Sequence, residues 1–234
     1  MSPEPRFEYK YILDHHRYYR IANAIVPYFT RDGISRRAPG RKYLVRSLYF
    51  DTYDYRAYQE KMTGVSQRAK WRLRCYAKTP KETEFVSVER KMRQGNIILK
   101  SSAQVSVTEY EQYMRSGSWN SNDPVLMDFE REVRARDLKP KAIVQYRREA
   151  FVSRDPGMAR LTIDSDIEYM QGEVLFPSNP NFKKDLSRKL ILEVKTHRDD
   201  ISWINRIVRE QDLGAVPNSK YCDSIEHTQK AIWF

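Results

Sequence analysis

The stretch that decides the fold is Lys70-Trp71-Arg72-Leu73-Arg74-Cys75, in which basic and apolar residues alternate without a break. A period of two residues is the period of a β-strand, whose successive side chains point to opposite faces. The lysine and both arginines therefore share one face, while Trp71, Leu73 and Cys75 share the other. The pattern predicts a strand over 67–78 with one basic face and one face suited to a core.

The same alternation recurs along most of the chain. It predicts strands over 6–13, 43–51, 67–78, 84–93, 96–100, 140–153, 158–168 and 188–196. Helical periodicity lies between and after them, in a helix that Asp14 caps and over 54–61, 106–115, 124–136, 199–211 and 219–231. Mostly β order with inserted helices predicts an α+β fold with a large antiparallel sheet or barrel.

Long charged side chains share one face in six of the predicted strands. In chain order they include Glu8 and Lys10, Arg72 and Arg74, Glu89 and Lys91, Arg148, Arg160 and Asp164, and Glu193 and Lys195. In any single strand, such a face is typical of the solvent side of a half-buried sheet. Cations stacked along one strand repel one another, however, and their repetition favours a phosphate-binding surface. If the sheet closes, this face becomes a tunnel lined with both signs of charge.

Composition narrows the classes of protein that fit. The chain has 234 residues, a formal net charge of +11 and two cysteines. The charge indicates either a polyanionic partner or a solvated basic surface. Cys75 and Cys222 flank no metal-type spacing, and we expect a reducing compartment, the cytoplasm. No window approaches the ~20 apolar residues of a membrane helix. We expect one domain over 1–234 without a transmembrane segment.

Eight short motifs together resemble a known family. They are Arg6-Phe7-Glu8-Tyr9-Lys10-Tyr11, Ser47-Leu48-Tyr49-Phe50-Asp51-Thr52, Lys70-Trp71-Arg72-Leu73-Arg74, Glu89-Arg90-Lys91, Tyr146-Arg147-Arg148-Glu149-Ala150-Phe151, Arg160-Leu161-Thr162-Ile163-Asp164, Leu192-Glu193-Val194-Lys195 and Ser219-Lys220-Tyr221. Each motif alone is weak. Their order, from residue 6 to residue 221, is similar to that of the VTC domain, the polyphosphate-polymerase branch of the triphosphate tunnel metalloenzymes.

The resemblance implies an eight-stranded antiparallel β-barrel, a triphosphate tunnel, with helices packed outside. It implies that phosphates are bound in the tunnel with Mn²⁺ or Mg²⁺. The catalytic cations that it implies are Lys10, Arg72, Arg74, Lys91, Arg148, Arg160 and Lys195. Further substrate-binding residues would be Lys100, Ser219 and Lys220, and the metal ligands would be Glu193 and Glu8.

The chain departs from the family pattern at two places. Arg6 stands where the hydrolytic branch carries an acid, which favours the polymerase-like branch. Val216-Pro217-Asn218 stands where polymerase relatives can carry another lysine, which predicts a weaker hold on the outgoing chain.

Several functions stay open on the sequence. The leading hypothesis is a metal-dependent phosphotransferase that moves the γ-phosphate of ATP onto inorganic polyphosphate, beside a membrane-protein partner that the resemblance implies. The alternatives are a tripolyphosphatase or nucleoside triphosphatase, a non-catalytic binder of polyphosphate or inositol phosphates, and a nucleic-acid binder. Glu8 and Glu193 argue against both binders, because a pure polyanion binder does not need acids in its groove. Nucleic acid is further disfavoured because we expect no exposed aromatic in phase with the basic residues.

Two features have a structural interpretation beside a functional one. Asp164 is predicted either to bind the metal or to hold Arg160 in a salt bridge. The basic run from Arg36 to Lys42 is predicted as a solvated loop, with guidance of polyphosphate or contact with a membrane as the alternative.

Overall fold

The computed structural model describes residues 7–95, 97–155, 159–197 and 202–228. Its strands are β1 (Phe7–Leu13), β2 (Phe29–Arg31), β3 (Tyr43–Asp51), β4 (Gln67–Cys75), β5 (Val86–Gln94), β6 (Ile97–Val105), β7 (Lys139–Ser153), β8 (Ala159–Gln171), β9 (Lys183–Lys184) and β10 (Leu190–Thr196). Its helices are α1 (His15–Ala24), α2 (Gly33–Arg37), α3 (Arg56–Met62), α4 (Val107–Ser116), α5 (Pro124–Arg136), α6 (Ser202–Glu210) and α7 (Lys220–Thr228).

All the strands belong to one antiparallel sheet. The main path runs β1-β10-β8-β7-β3-β4-β5-β6, with β2 beside β7 and β9 beside β8. Within the described residues, the edge strands β1 and β6 share no ladder. The sheet nevertheless curves until its two ends meet. The ion pair between Lys91 of β5 and Glu8 of β1 shows this contact. The predicted α+β fold with a large antiparallel sheet is confirmed, and the barrel is approximate because hydrogen bonds do not close it.

Helices α4 and α5 cover the outer face of one half of the sheet. Trp71 and Leu73, on the apolar face of β4, are buried there. The Trp71 ring meets Phe129 of α5 edge-on at 5.1 Å between centroids. Full burial of a side chain such as Leu73 contributes about 1.5–3 kcal/mol. This packing leaves the basic side chains of β4 on the inner face.

Helices α1 and α6 cover the outer face of the other half. Ile21 of α1 and Ile204 of α6 belong to a core cluster with Leu161 of β8 and Leu192 of β10. Asp14 caps α1, as predicted, and accepts a hydrogen bond from the Arg17 amide at 2.7 Å. Asp164 on β8 and Glu193 on β10, on the opposite strand faces from Leu161 and Leu192, are thereby directed inward.

Like α3, helix α7 packs against residues of the inner face. Its Tyr221 and Ile225 join a core cluster with Tyr146 of β7 and with Ile191, which shares the face of Glu193 on β10. Charge alternation alone did not reveal this apolar patch inside the sheet. The helix forms one wall of the inner space instead of adding to the outer layer.

The remaining differences from the sequence analysis are short or lie at element ends. The structure adds β2, α2 and β9, and it extends β6 to Val105 and β8 to Gln171. Residues 6, 96, 158, 199–201 and 229–231, which were assigned to predicted strands or helices, lie outside the described residues. In the described part of the chain, no helix has the length and apolarity that crossing a membrane requires.

Candidate functional site: a charged cavity on the inner face of the sheet

One cavity on the inner face collects charged side chains from six strands and two helices. The described residues that line it include twelve cations and two carboxylates: Lys10, Lys61, Arg68, Lys70, Arg72, Arg74, Lys91, Arg93, Lys100, Arg148, Lys195 and Lys220, with Glu8 and Glu193. Apart from Arg160, every residue assigned to the site from the sequence lies in this lining, Ser219 included. The alternation along separate strands therefore converges on one place.

Two buried acids hold the cations of one part of the cavity, which we call the arginine side (Arg72, Arg74, Arg148, Glu89 and Asp164). The Arg72 Nε donates to Glu89 Oε2 at 2.7 Å, and an Nη1 of Arg74 lies 3.6 Å from the same oxygen. Burial acts to raise the pKa of Glu89, but Arg72 and Arg74 outweigh it and hold the pKa well below its usual range. Glu89 is therefore a fixed anion that aligns the arginines.

Asp164 is the second buried acid of the arginine side, and it holds cations of β7 and α7. It accepts hydrogen bonds from Arg148 at 2.6 and 2.8 Å, and Lys220 Nζ lies 2.6 Å from its Oδ2. Burial opposes ionisation, yet Arg148 and Lys220 lower the pKa of Asp164 to about 2. The predicted salt bridge to Arg160 is wrong. Arg148 is directly opposite Asp164 in the β7–β8 ladder, whereas Arg160 lies four residues, about 13 Å, along the same strand.

The lysine side of the cavity (Lys10, Lys91, Lys195, Glu8 and Glu193) lies on β1, β5 and β10. Lys195 Nζ lies 3.2 Å from Glu193 Oε1, and Lys91 pairs with Glu8. Burial lowers the pKa of Lys195 to about 7 and that of Lys10 to about 8, although Glu193 acts to raise both. These ammonium groups lose their protons much more readily than ordinary lysines.

The two carboxylates of the lysine side remain ionised and close enough to influence each other. Burial and then Glu193 act to raise the pKa of Glu8, but Lys91, Lys195 and Lys10 leave it lowered. Glu193 also has a pKa well below its usual range, because Lys195 and Lys10 outweigh its burial. Paired, ionised carboxylates are the hard ligands that Mg²⁺ and Mn²⁺ prefer.

This donor set fits a divalent cation that is shared with phosphate. Among the described residues, no group of three or more His, Cys, Asp or Glu side chains could hold a metal ion. Mg²⁺ commonly uses one or two carboxylates and completes its shell with phosphate oxygens and water. Glu193 and Glu8 would supply the two carboxylates, and the remaining ligands would have to come from a phosphorylated substrate and water.

The beginning of α7 brings further groups to the cavity. Ser219 precedes the helix, and its Oγ accepts hydrogen bonds from Lys70 Nζ at 3.2 Å and from the Cys222 amide at 3.4 Å. Lys70 was not assigned to the site from the sequence, although it has the same strand phase as Arg72. Its position in the alternation of β4 is the feature of the sequence from which it could have been assigned to the site.

Arg160 lies apart from the cavity. Its Nη2 is 2.9 Å from Asp32 Oδ2, and its side chain is 47% exposed. Asp32 also caps α2, a short helix that the sequence pattern did not indicate. Binding of phosphate by Arg160 therefore stays a prediction from the resemblance.

Comparisons with known proteins agree with this architecture. A scan of protein families matches the VTC domain over residues 5–229. The chain belongs to the VTC domain family. No curated protein matches it in a sequence search.

Two solved structures show the same fold at low sequence identity. A Bacillus halodurans protein, provisionally described as an adenylate cyclase, has a TM-score of 0.60 at 15% identity and covers 97% of this chain and 98% of its own. The PH1819 protein of Pyrococcus horikoshii has a TM-score of 0.51 at 12% identity and covers 95% of this chain and 99% of its own. Both likenesses concern the arrangement of strands and helices.

Proposed function

We propose that this VTC-family protein transfers the γ-phosphate of ATP to the end of an inorganic polyphosphate chain and releases ADP, with the help of Mn²⁺ or Mg²⁺. The observation that supports this most is the joining, in one cavity, of twelve cations with two ionised carboxylates. The cations suit a chain of several phosphates. The carboxylates pair with lysines and are also suited to hold a divalent cation beside those phosphates.

Transfer of a phosphoryl group depends on positioning and charge neutralisation more than on covalent chemistry. Arg72, Arg74 and Arg148 carry permanent charge and planar groups that contact two phosphate oxygens at once. Glu89 and Asp164 hold them at fixed angles. The arginine side would therefore bind the donor triphosphate in one conformation, with its terminal phosphate directed at an acceptor.

The lysine side would bind the phosphates next to the reacting bond. Lys10, Lys91 and Lys195 supply mobile point charges there. A divalent cation, held by Glu193 and Glu8, would neutralise charge on the transferring group when bound. Direct transfer to the terminal phosphate of the acceptor is the simplest course, and the buried setting of these side chains limits competition by water.

A competition between two products tests this function. We would supply ATP, Mn²⁺ and a short polyphosphate primer, and measure chain extension against release of free phosphate. Extension should dominate for the wild type and should be lost in Arg148→Ala. The matched control is Arg131→Ala, since this arginine is 69% exposed on the outer helix α5.

Arg6, which lies outside the described residues, gives a second arm of the same test. Restoring an acid there, as Arg6→Glu, should shift the balance toward free phosphate, because another carboxylate would support a metal ion that activates water. A wild type that yields only free phosphate would support the hydrolase instead. Tight binding of polyphosphate without either product would support a binding module.

A further inference from the structure

An exposed aromatic ring continues the line of basic side chains beyond the cavity. Tyr76 directly follows β4 and has the same strand phase as Arg72 and Arg74, and it is 37% exposed. The expectation of no exposed aromatic in phase with the basic residues is therefore wrong at this position. Two residues along a strand correspond to about 7 Å, so the ring lies one step beyond Arg74.

Two other rings support Tyr76. Its ring centroid lies 6.0 Å from that of Tyr43 on β3, with the planes tilted by 60°. It lies equally far, 6.0 Å, from that of Phe85, in an edge-on arrangement. Tyr43 is buried while Tyr76 is partly open to solvent. The three rings form a small aromatic platform, of which Tyr76 is the most exposed member.

The platform adjoins the arginine side of the cavity. Tyr43 pairs with Arg148 in the β3–β7 ladder. Burial raises the pKa of Tyr43 to about 12, although the positive charges of Arg148 and Arg160 act against it. A partly exposed aromatic ring next to guanidinium groups provides what a nucleoside phosphate needs: a surface for the base and charge for the phosphates.

The opposite end of β4 has a different character. There the cavity lining consists of Lys61, Arg68, Arg93 and the aliphatic Ile98. Arg68 and Arg93 are directly paired across β4 and β5. Three cations and an aliphatic side chain in the lining suit a bare phosphate chain. The two ends therefore distinguish a nucleoside from a phosphate chain by their chemistry.

We propose that Tyr76, supported by Tyr43 and Phe85, stacks on the base of the nucleoside triphosphate whose phosphates enter the cavity past Arg74. This inference rests on the proposed use of a nucleoside triphosphate. It gives that substrate a direction, with the base outside at the Tyr76 end and the terminal phosphate inside. Stacking of this kind accepts any base, so the platform predicts affinity for nucleosides without strict choice among them.

The test compares ATP with inorganic tripolyphosphate, which has the same number of phosphates and no base. Calorimetric titrations at fixed Mg²⁺ would give the affinity of each ligand for the wild type, Tyr76→Ala and Tyr76→Phe. Tyr76→Ala should weaken the affinity for ATP by between about fivefold and 150-fold, the range that base stacking contributes, and leave the affinity for tripolyphosphate unchanged. Tyr76→Phe keeps the ring and should bind both ligands within about twofold of the wild type.

Tyr53→Ala is the matched control, because Tyr53 is 86% exposed and lies beyond the other end of β3. An equal loss of both ligands in Tyr76→Ala would overturn the inference in favour of a structural role, and no loss of either would also overturn it. Because binding is measured without turnover, a selective loss of ATP supports the base site even if the enzyme extends no chain. Failure of the enzyme to extend a chain would contradict the polymerase proposal but not the base site.

Discussion

The arginine side and the lysine side of the cavity differ in how firmly their charges are fixed. On the arginine side, Glu89 raises the pKa of Arg72 well above its usual value despite burial. On the lysine side, burial dominates and lowers the pKa of Lys195 to about 7. Both sides are buried and both contain acids, so the contrast follows from the type of cation and the number of paired contacts. One side provides a rigid frame, and the charge of the other can change with pH.

This contrast indicates different roles for the arginine side and the lysine side. In the proposed function, a frame of paired arginines would hold phosphates in the same geometry at every pH, because guanidinium groups do not titrate in this range. Titratable lysines beside two coupled carboxylates change charge when a ligand arrives. We therefore expect the two sides to fail in different ways when a single acid is removed.

The largest effect should follow the loss of the acid that organises the arginine side. Glu89→Gln would leave Arg72, Arg74 and Lys100 close together without their shared anion. Breaking a buried charge network in this way costs about 3–5 kcal/mol of unfolding free energy. Denaturant unfolding would measure it, with Glu84→Gln as control, because Glu84 is an exposed neighbour just before β5. A Glu89→Gln protein as stable as the wild type would contradict the idea of a rigid frame.

The corresponding change on the lysine side should affect turnover more than folding. Glu193→Gln keeps the shape of the side chain but removes a proposed metal ligand, so turnover should fall by roughly 100-fold while the protein stays folded. Mn²⁺ affinity in the presence of tripolyphosphate should weaken as well, and it can be titrated without turnover. Glu111→Gln, on the exposed face of α4, is the control. Unchanged turnover and Mn²⁺ affinity would show that the metal is held elsewhere.

Much of the fold could be predicted from the sequence because alternation reports directly on the two faces of a strand. The basic face of β4 and its apolar partner face were read from six residues, and Trp71 and Leu73 are buried as that pattern requires. The approximate ends of α5 followed from its periodicity in the same way. These are local properties, which need no knowledge of neighbouring strands.

The pairing of charges could not be read in this way because it depends on strand order and register. Asp164 and Arg160 lie on one strand and invited a link, but the β7–β8 ladder sets Arg148 opposite Asp164. The position of α7 could not be predicted for a related reason. Its Tyr221 packs on an apolar patch that forms only when Tyr146 and Ile191 come together from separate strands.

The smallest expected effect concerns protons, and it separates the two sides most directly. With lowered pKa values of about 7 for Lys195 and about 8 for Lys10, both amines lose charge as the pH rises from 7 to 9. A neutral amine no longer offsets phosphate charge, so binding should be tightest below pH 7. A bound polyanion favours the ammonium form, so binding above pH 7 should take up protons.

Metal-free calorimetry of tripolyphosphate binding, in buffers of different ionisation enthalpy, would measure both effects. The wild type is compared with Lys195→Arg, whose guanidinium stays charged. Because the ligand itself titrates equally in both experiments, its contribution cancels in this comparison. Between pH 7 and 9 the protonated fraction of Lys195, with a pKa of about 7, falls from about one half to about one hundredth, so the wild type should lose up to about 50-fold in affinity relative to Lys195→Arg. Proton uptake should be smaller in the variant. Parallel affinity curves for the two proteins would mean that Lys195 keeps its charge throughout, and the lysine side would then be as fixed as the arginine side.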